Sequence, residues 1–213
     1  MDRKPCRENI RLVQVTTVAD ALHFLRGIVR LVKSRGFEVS VITSPGELLD
    51  AFGAEESVPV FPVEMPRRIT PLDDLRALNQ IRRLLRQIKP HVVHAQTPKG
   101  GLLGTTAAWL ERVPARLYHI RGLPVLTATG PRRVLLRWSE KAACHLATHV
   151  LCVSHSIRKA AIEEGLCPPG KIKVLFHGSG QGVDATEKFN PERLPVETRL
   201  ETRNRFGIPL DAK

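Results

Sequence analysis

The chain has 213 residues, 42% of them hydrophobic, enough for one large α/β domain with a sizeable core. A net charge of +12 points to an anionic partner: phosphate groups, anionic lipid or nucleic acid. Only 5% of the residues are aromatic, which weighs against a base-stacking binder of single-stranded nucleic acid.

The first nine residues (MDRKPCREN) are polar and lead into no apolar core segment, so they read as a flexible terminus rather than a signal peptide. From residue 10, short apolar runs alternate with segments of helical periodicity. Strands are predicted over 10–16, 37–43, 58–63, 91–95, 115–120, 149–153 and 171–176. Between the first two, Leu22, Leu25, Val29 and Val32 share one helical face. Between the third and fourth, Leu72, Leu75, Leu78, Ile81, Leu85 and Ile88 do the same, and that helix should stop at Lys89, before Pro90. Alternation of this kind predicts a Rossmann-like, doubly wound, mostly parallel sheet of about seven strands with helices on both faces. No run of about 18 apolar residues is present to span a membrane.

In such a sheet ligands gather at the carboxyl ends of the strands. The first of these turns, Thr16-Thr17-Val18-Ala19-Asp20, lacks a GxGxxG fingerprint. It reads either as a pair of ligand-binding threonines or as a polar turn with Asp20 as N-cap. The turn Gln96-Thr97-Pro98-Lys99-Gly100-Gly101 opens a helix, with Thr97 as N-cap and Pro98 at the first helical position. Free N–H groups, Lys99 and two glycines there suit a phosphate; the other reading is that Gly100 and Gly101 only let helix and strand pack closely. His119 and Arg121 alternate to one side of a strand end, and Gly122 frees the backbone beyond them. Arg121 suits bidentate binding of a diphosphate, and His119 a proton transfer or a hydrogen bond to a sugar hydroxyl.

The segment 131–146 is amphipathic. Arg133, Arg137 and Lys141 form one stripe with Arg132 nearby, either solvated or resting on anionic lipid, and Val134, Leu135, Trp138, Ala142 and Leu146 form a separate apolar arc. Ser154 is placed to cap the next helix. After residue 176 the sequence HGSGQGVDATEKFNPERLP is rich in glycine and proline and reads as a linker. Cys6, Cys144, Cys152 and Cys167 form no CxxC pair and read as reduced cytosolic thiols; no metal-ligand spacing and no GxSxG elbow occurs.

Taken together, VQVTT, RGFEVSVIT, HVVHAQTPKGGLLG, RLYHIRGLP, HVLCVSHSIRKAAIEEGL, KIKVLFHGSGQGVD and KFNP resemble, in that order, the amino-terminal domain of GT-B-fold glycosyltransferases of family 4. The similarity runs from Ile10 onward and is greatest to enzymes that extend undecaprenyl-diphosphate-linked sugars. It implies a retaining transfer from a UDP- or GDP-sugar to a hydroxyl of a lipid-diphosphate-linked or polysaccharide acceptor. It implies no cofactor and no metal. On this reading residues 10–176 are the acceptor-side domain. Residues 177–213 are a linker and the start of a nucleotide-sugar-binding domain that is missing, so the chain alone should be inactive. Many relatives carry a histidine at the end of the fifth strand; here Arg121 stands there with His119 two residues earlier, and both are the expected catalytic residues. Thr16, Thr17, Gln96, Thr97, Lys99, Gly100, Gly101, Gly122 and Ser154 are the expected substrate-binding set. Arg132, Arg133, Arg137 and Lys141 are the expected membrane contacts. The location implied is cytoplasmic, with the inner face of the plasma membrane as a peripheral site. A dehydrogenase-type reading fails, since Tyr118 is followed four residues later by Gly122 rather than lysine. The alternative is a basic module that binds anionic membrane or nucleic acid without catalysis; nucleic acid is not an expected partner of the transferase.

Overall fold

The computed structural model describes residues 9–180, 185–186, 189–193, 195–209 and 211–212. The expected flexible terminus, apart from its last residue, lies outside the described residues, as do Cys6 and the Gly182-Val183-Asp184 stretch of the expected linker. Seven strands form one sheet: β1 (Ile10–Val15), β2 (Phe37–Thr43), β3 (Val60–Pro62), β4 (Val92–Gln96), β5 (Ala115–Ile120), β6 (His149–Cys152) and β7 (Ile172–Val174). All the pairings are parallel, in the order β3-β2-β1-β4-β5-β6-β7. The doubly wound expectation therefore holds, and the sheet is wholly rather than mostly parallel. β7 ends sooner than its apolar run because Phe176 has a φ of 50° and lies in solvent.

The helices are α1 (Ile28–Ser34), α2 (Glu47–Glu56), α3 (Pro71–Ile88), α4 (Pro98–Leu110), α5 (Gly130–Leu146), α6 (His155–Glu163) and α7 (Val196–Arg205). Alternate residues of β1 face opposite layers. Leu12 packs with Leu22, Leu25, Val29 and Phe52, while Val13 and Val15 pack with Ile81, Leu85 and Leu103. Hence α1 and α2 cover one face, and α3 and α4 the other. Tyr118 and Ile120 of β5 join Ala143, Val150 and Ala161 in a third cluster, which seats α5 and α6.

Two expectations need correction. The first helical segment is broken into a 3-10 turn (Ala19–Phe24) and α1, because Gly27 takes a left-handed φ of 76°. Its apolar face is buried all the same. Asp20 is not an N-cap: that place belongs to Val18, and the Asp20 carboxylate lies 3.6 Å from Arg67.

The chain divides into two compact units, Met1–Gln181 and Gly182–Lys213. Gly178 and Gly180, read as linker, lie in the first. A Cβ on Gly178 would overlap the Val153 carbonyl, and Ser179 N donates to that same oxygen at 2.6 Å. The second unit holds a 3-10 turn (Pro191–Arg193) and α7.

Candidate functional site

The carboxyl ends of β1, β4 and β5 lie side by side. β1 and β4 flank the point where the connections run off in opposite directions, which is where open α/β sheets bind their ligands. Gln96 is in register with His119, so the two predicted loops share one rim.

A row of polar side chains crosses the sheet there. Gln96 Nε2 donates to Gln14 Oε1 at 2.8 Å, and Gln96 Oε1 accepts from Arg121 Nε at 2.7 Å. Arg121 Nη2 donates to the Gly180 carbonyl at 3.2 Å, and its guanidinium lies 4.9 Å from the centre of the Phe24 ring. Burial lowers the Arg121 pKa, but a guanidinium starts so high that it keeps its charge. The arrangement is a half-buried cation with a fixed orientation. Gln14 escaped the sequence reading. Its signal was a lone amide inside the buried run VQV, since a buried polar group needs a partner.

Beside Arg121 the His119 ring stacks on His94, with centroids 5.5 Å apart and planes at 12°. Burial first, then the charge of Arg121, hold the His119 pKa down to about 4. Burial first, then His119 and Arg121, take His94 to about 3. Both rings are neutral at pH 7. His119 Nδ1 and His94 Nε2 are buried without a protein partner. A neutral imidazole of this kind can accept or donate one hydrogen bond, and it carries no positive charge of its own.

The threonine turn and the glycine turn are tied to each other. Thr17 N donates to Thr97 Oγ1 at 3.1 Å, and the two hydroxyls are 2.6 Å apart. Gly100 N donates to Thr17 Oγ1 at 2.8 Å. Thr97 stands at the N-cap position with a φ of 65°, but its hydroxyl does not cap α4; it bonds the Gln96 carbonyl. Thr17, reaching over from the β1 turn, satisfies the helix instead. Thr16 bonds Thr43 Oγ1 at 2.9 Å and is buried. Lys99 pairs with Asp74 at 2.6 Å and also bonds the Arg68 carbonyl. The Lys99 ammonium and the Gly100 N–H, two of the donors expected to hold a phosphate at this helix start, are therefore engaged within the chain. The glycines pack: a Cβ on Gly100 would come within 2.9 Å of the Thr16–Thr17 backbone, and one on Gly101 would overlap the Tyr118 ring.

Gly122 has open space around it and no positive φ. Ser154 caps α6, accepting from Ile157 N at 3.2 Å. The basic stripe of α5 has structural work: Arg133 lies 2.5 Å from the Glu164 carboxylate, and Arg137 Nε donates to the Glu164 carbonyl at 3.1 Å. Lys141 lies 5.8 Å from the centre of the Trp138 ring. The apolar arc is not core: Val134, Leu135 and Trp138 are exposed. What α5 buries includes Glu140, whose Oε2 accepts from Tyr118 Oη at 2.6 Å and whose pKa is raised by burial to about 7. Among the described residues no group of three His, Cys, Asp or Glu side chains is placed to hold a metal, and no helix is long and apolar enough to cross a membrane.

An all-parallel seven-stranded sheet with its polar rim at the β1/β4/β5 ends defines a Rossmann-like domain of the GT-B type. Its fold matches that of a glycosyltransferase from Rickettsia africae, with a TM-score of 0.68 at 16% identity over 96% of this chain and 51% of that one. Residues 23–178 match the glycosyl transferase 4-like domain, and the chain belongs to that family. It is 31% identical over 192 residues to the capsular polysaccharide biosynthesis glycosyltransferase CapM of Staphylococcus aureus, covering 90% of this chain and 50% of that protein. It is 29% identical over 164 residues to the UDP-Gal:alpha-D-GlcNAc-diphosphoundecaprenol alpha-1,3-galactosyltransferase of Escherichia coli, covering 76% of this chain and 41% of that one. The chain thus spans about half the length of these relatives.

Proposed function

We propose that this chain is the acceptor-side half of a retaining glycosyltransferase. The whole enzyme moves a sugar from a UDP- or GDP-sugar to a hydroxyl of a lipid-diphosphate-linked or polysaccharide acceptor. The observation that carries this reading is the family match combined with Arg121, a cation held at the sheet's carboxyl edge by the Gln14–Gln96 relay. In the reaction the bond from the anomeric carbon to the nucleoside diphosphate breaks, and a bond to the acceptor oxygen forms. Negative charge builds on the departing nucleoside diphosphate, and one of its oxygens takes up the proton of the acceptor hydroxyl. Arg121 is suited to that charge, and neutral His119 to a hydrogen bond with a substrate hydroxyl. The donor is bound chiefly by residues outside this half, and protein cations take the role a metal has elsewhere, so transfer by the whole enzyme survives EDTA. The chain works at the cytoplasmic surface of the membrane that holds its acceptor.

Titration of the 213-residue chain with N-acetylglucosaminyl-diphosphoundecaprenol in detergent, with UDP-galactose and GDP-mannose in parallel, tests the proposal. The lipid-linked sugar should bind, and the affinity should drop several-fold in His119→Ala, which removes the hydrogen bond offered to its hydroxyl. No sugar should be transferred from either donor. Failure of the lipid-linked sugar to bind overturns the acceptor-side assignment, and turnover by the isolated chain overturns the division of labour.

A further inference from the structure

Between the amino-terminal turns of α3, α4 and α5, beside the Thr17–Thr97 contact, lies a cavity of about 520 Å³. That volume falls within the ordinary range for small-molecule sites. Ile69, Leu102, Leu103 and Leu135 form much of its wall, and Arg67 and Arg132 line it as well. Ile69 and Leu135 remain 51% and 47% exposed, so the mouth is open and apolar.

Exposed apolar side chains continue along α3 and α5, two of the helices that wall the cavity. Leu72 and Leu75 sit on the helical face that the sequence assigns to the core, yet they are 75% and 56% exposed, since α3 meets the core only from Ala77 onward. One turn beyond Leu135 on α5, Trp138 is 66% exposed. Clustered exposure of large apolar side chains marks an interaction surface.

The charges select the partner. Lys99, the third cation in the lining, is neutralised by Asp74. Arg67 has only a long, solvent-exposed pairing with Asp20, and Arg132 has no ion pair among the described residues. A bare hydrocarbon would leave two arginines idle, and a free phosphate would leave the leucine wall in water. Only an amphiphile uses both.

We infer that this cavity holds the phosphate-proximal hydrocarbon segment of a phosphorylated lipid, with Arg67 and Arg132 on its head group. The inference deepens the acceptor-side reading and rests on it. It gives the lipid part of the acceptor a seat of its own, reached past Pro124 from the rim that carries Arg121.

Farnesyl diphosphate, inorganic diphosphate and farnesol, each titrated calorimetrically into the 213-residue chain, form the test. Farnesyl diphosphate should bind at least tenfold more tightly than either of the others. Ser139→Phe, which puts a ring into the cavity from its wall, should abolish that advantage. Arg132→Gln, at an exposed position that leaves the fold intact, should weaken farnesyl diphosphate several-fold and leave farnesol unchanged. Equal affinities for farnesyl diphosphate and inorganic diphosphate, indifferent to Ser139→Phe, overturn the cavity assignment and leave the acceptor-side reading standing. Farnesol binding as tightly as farnesyl diphosphate overturns the head-group assignment. The acceptor-side reading falls separately, through the lipid-linked sugar experiment.

Discussion

Gly101 has no room for a side chain, because the ring of Tyr118 fills the space a Cβ would need and is itself pinned by Glu140. Gly101→Ala should therefore cost about 1–3 kcal/mol through overpacking, read as a lower urea midpoint with an unchanged slope. An unaltered midpoint would show that the ring moves aside freely. The two stacked histidines set a pH dependence with a definite sign. In the fold they titrate near pH 3 and 4, and in the unfolded chain near the usual 6.5. Between those limits the unfolded chain binds more protons, so their contribution is complete above about pH 6.5 and declines as the solution is acidified. His94→Asn should flatten the acid side of a plot of Tm against pH, and an identical slope in the variant would contradict the assignment. These features were only partly legible. Gly101 announced a close approach, but the sequence did not say what approached, since Tyr118 is seventeen residues away along the chain and adjacent only across the β5–α4 contact.

At the scale of elements, the start of α4 shows how one element completes another. The N-cap residue Thr97 turns its hydroxyl to the Gln96 carbonyl, and the cap comes from Thr17, eighty residues earlier. Thr17→Val should lose about 1–2 kcal/mol, the usual worth of an N-cap, although position 17 lies far from α4 in the sequence. Thermal denaturation checks this, and stability equal to wild type would assign the cap elsewhere. The link between β5 and α5 behaves oppositely to the histidines. Glu140 holds its proton in the fold up to about pH 7, whereas a free carboxyl releases it near 4.5. Stability from this group is present below about pH 4.5 and is lost as the pH rises through 7. Glu140→Gln, which still accepts from Tyr118, should remove that loss. The helices themselves were readable from periodicity, and Pro90 marked the end of α3 correctly. The face that α5 buries was not. Val134, Leu135 and Trp138 formed an apolar arc on paper, but α5 meets the sheet through Ala143, Cys144 and the Tyr118–Glu140 bond, leaving that arc outside.

For the whole molecule the question is what so basic a surface meets. Much of the α5 stripe is spent on α6, where Arg133 and Arg137 hold Glu164. Apolar insertion should therefore count for more than that stripe in any membrane contact. Flotation with phosphatidylglycerol vesicles should carry the chain upward, and Trp138→Ala should weaken this more than Arg137→Gln does; the reverse order would return the role to the stripe. Duplex DNA binding with a steep salt dependence would instead favour the basic-module reading.

The pattern of alternating apolar runs and amphipathic segments was sufficient by itself for a parallel, doubly wound sheet. Such a sheet is a local consequence: buried strands lose their polar positions, and the helices between them repeat every 3.6 residues. The order of motifs was likewise sufficient for the family. Which polar groups remain available for a ligand was decided only by tertiary structure. Thr17, Thr97, Gly100 and Lys99 looked like open donors in a linear reading, yet each meets a partner brought in from a distant strand or helix. Arg121 and His119 kept their place at the rim because Gln96 and His94 lie beside them across the β4–β5 pairing. Pairing between strands is a non-local event, and hydrogen-bond satisfaction follows from it.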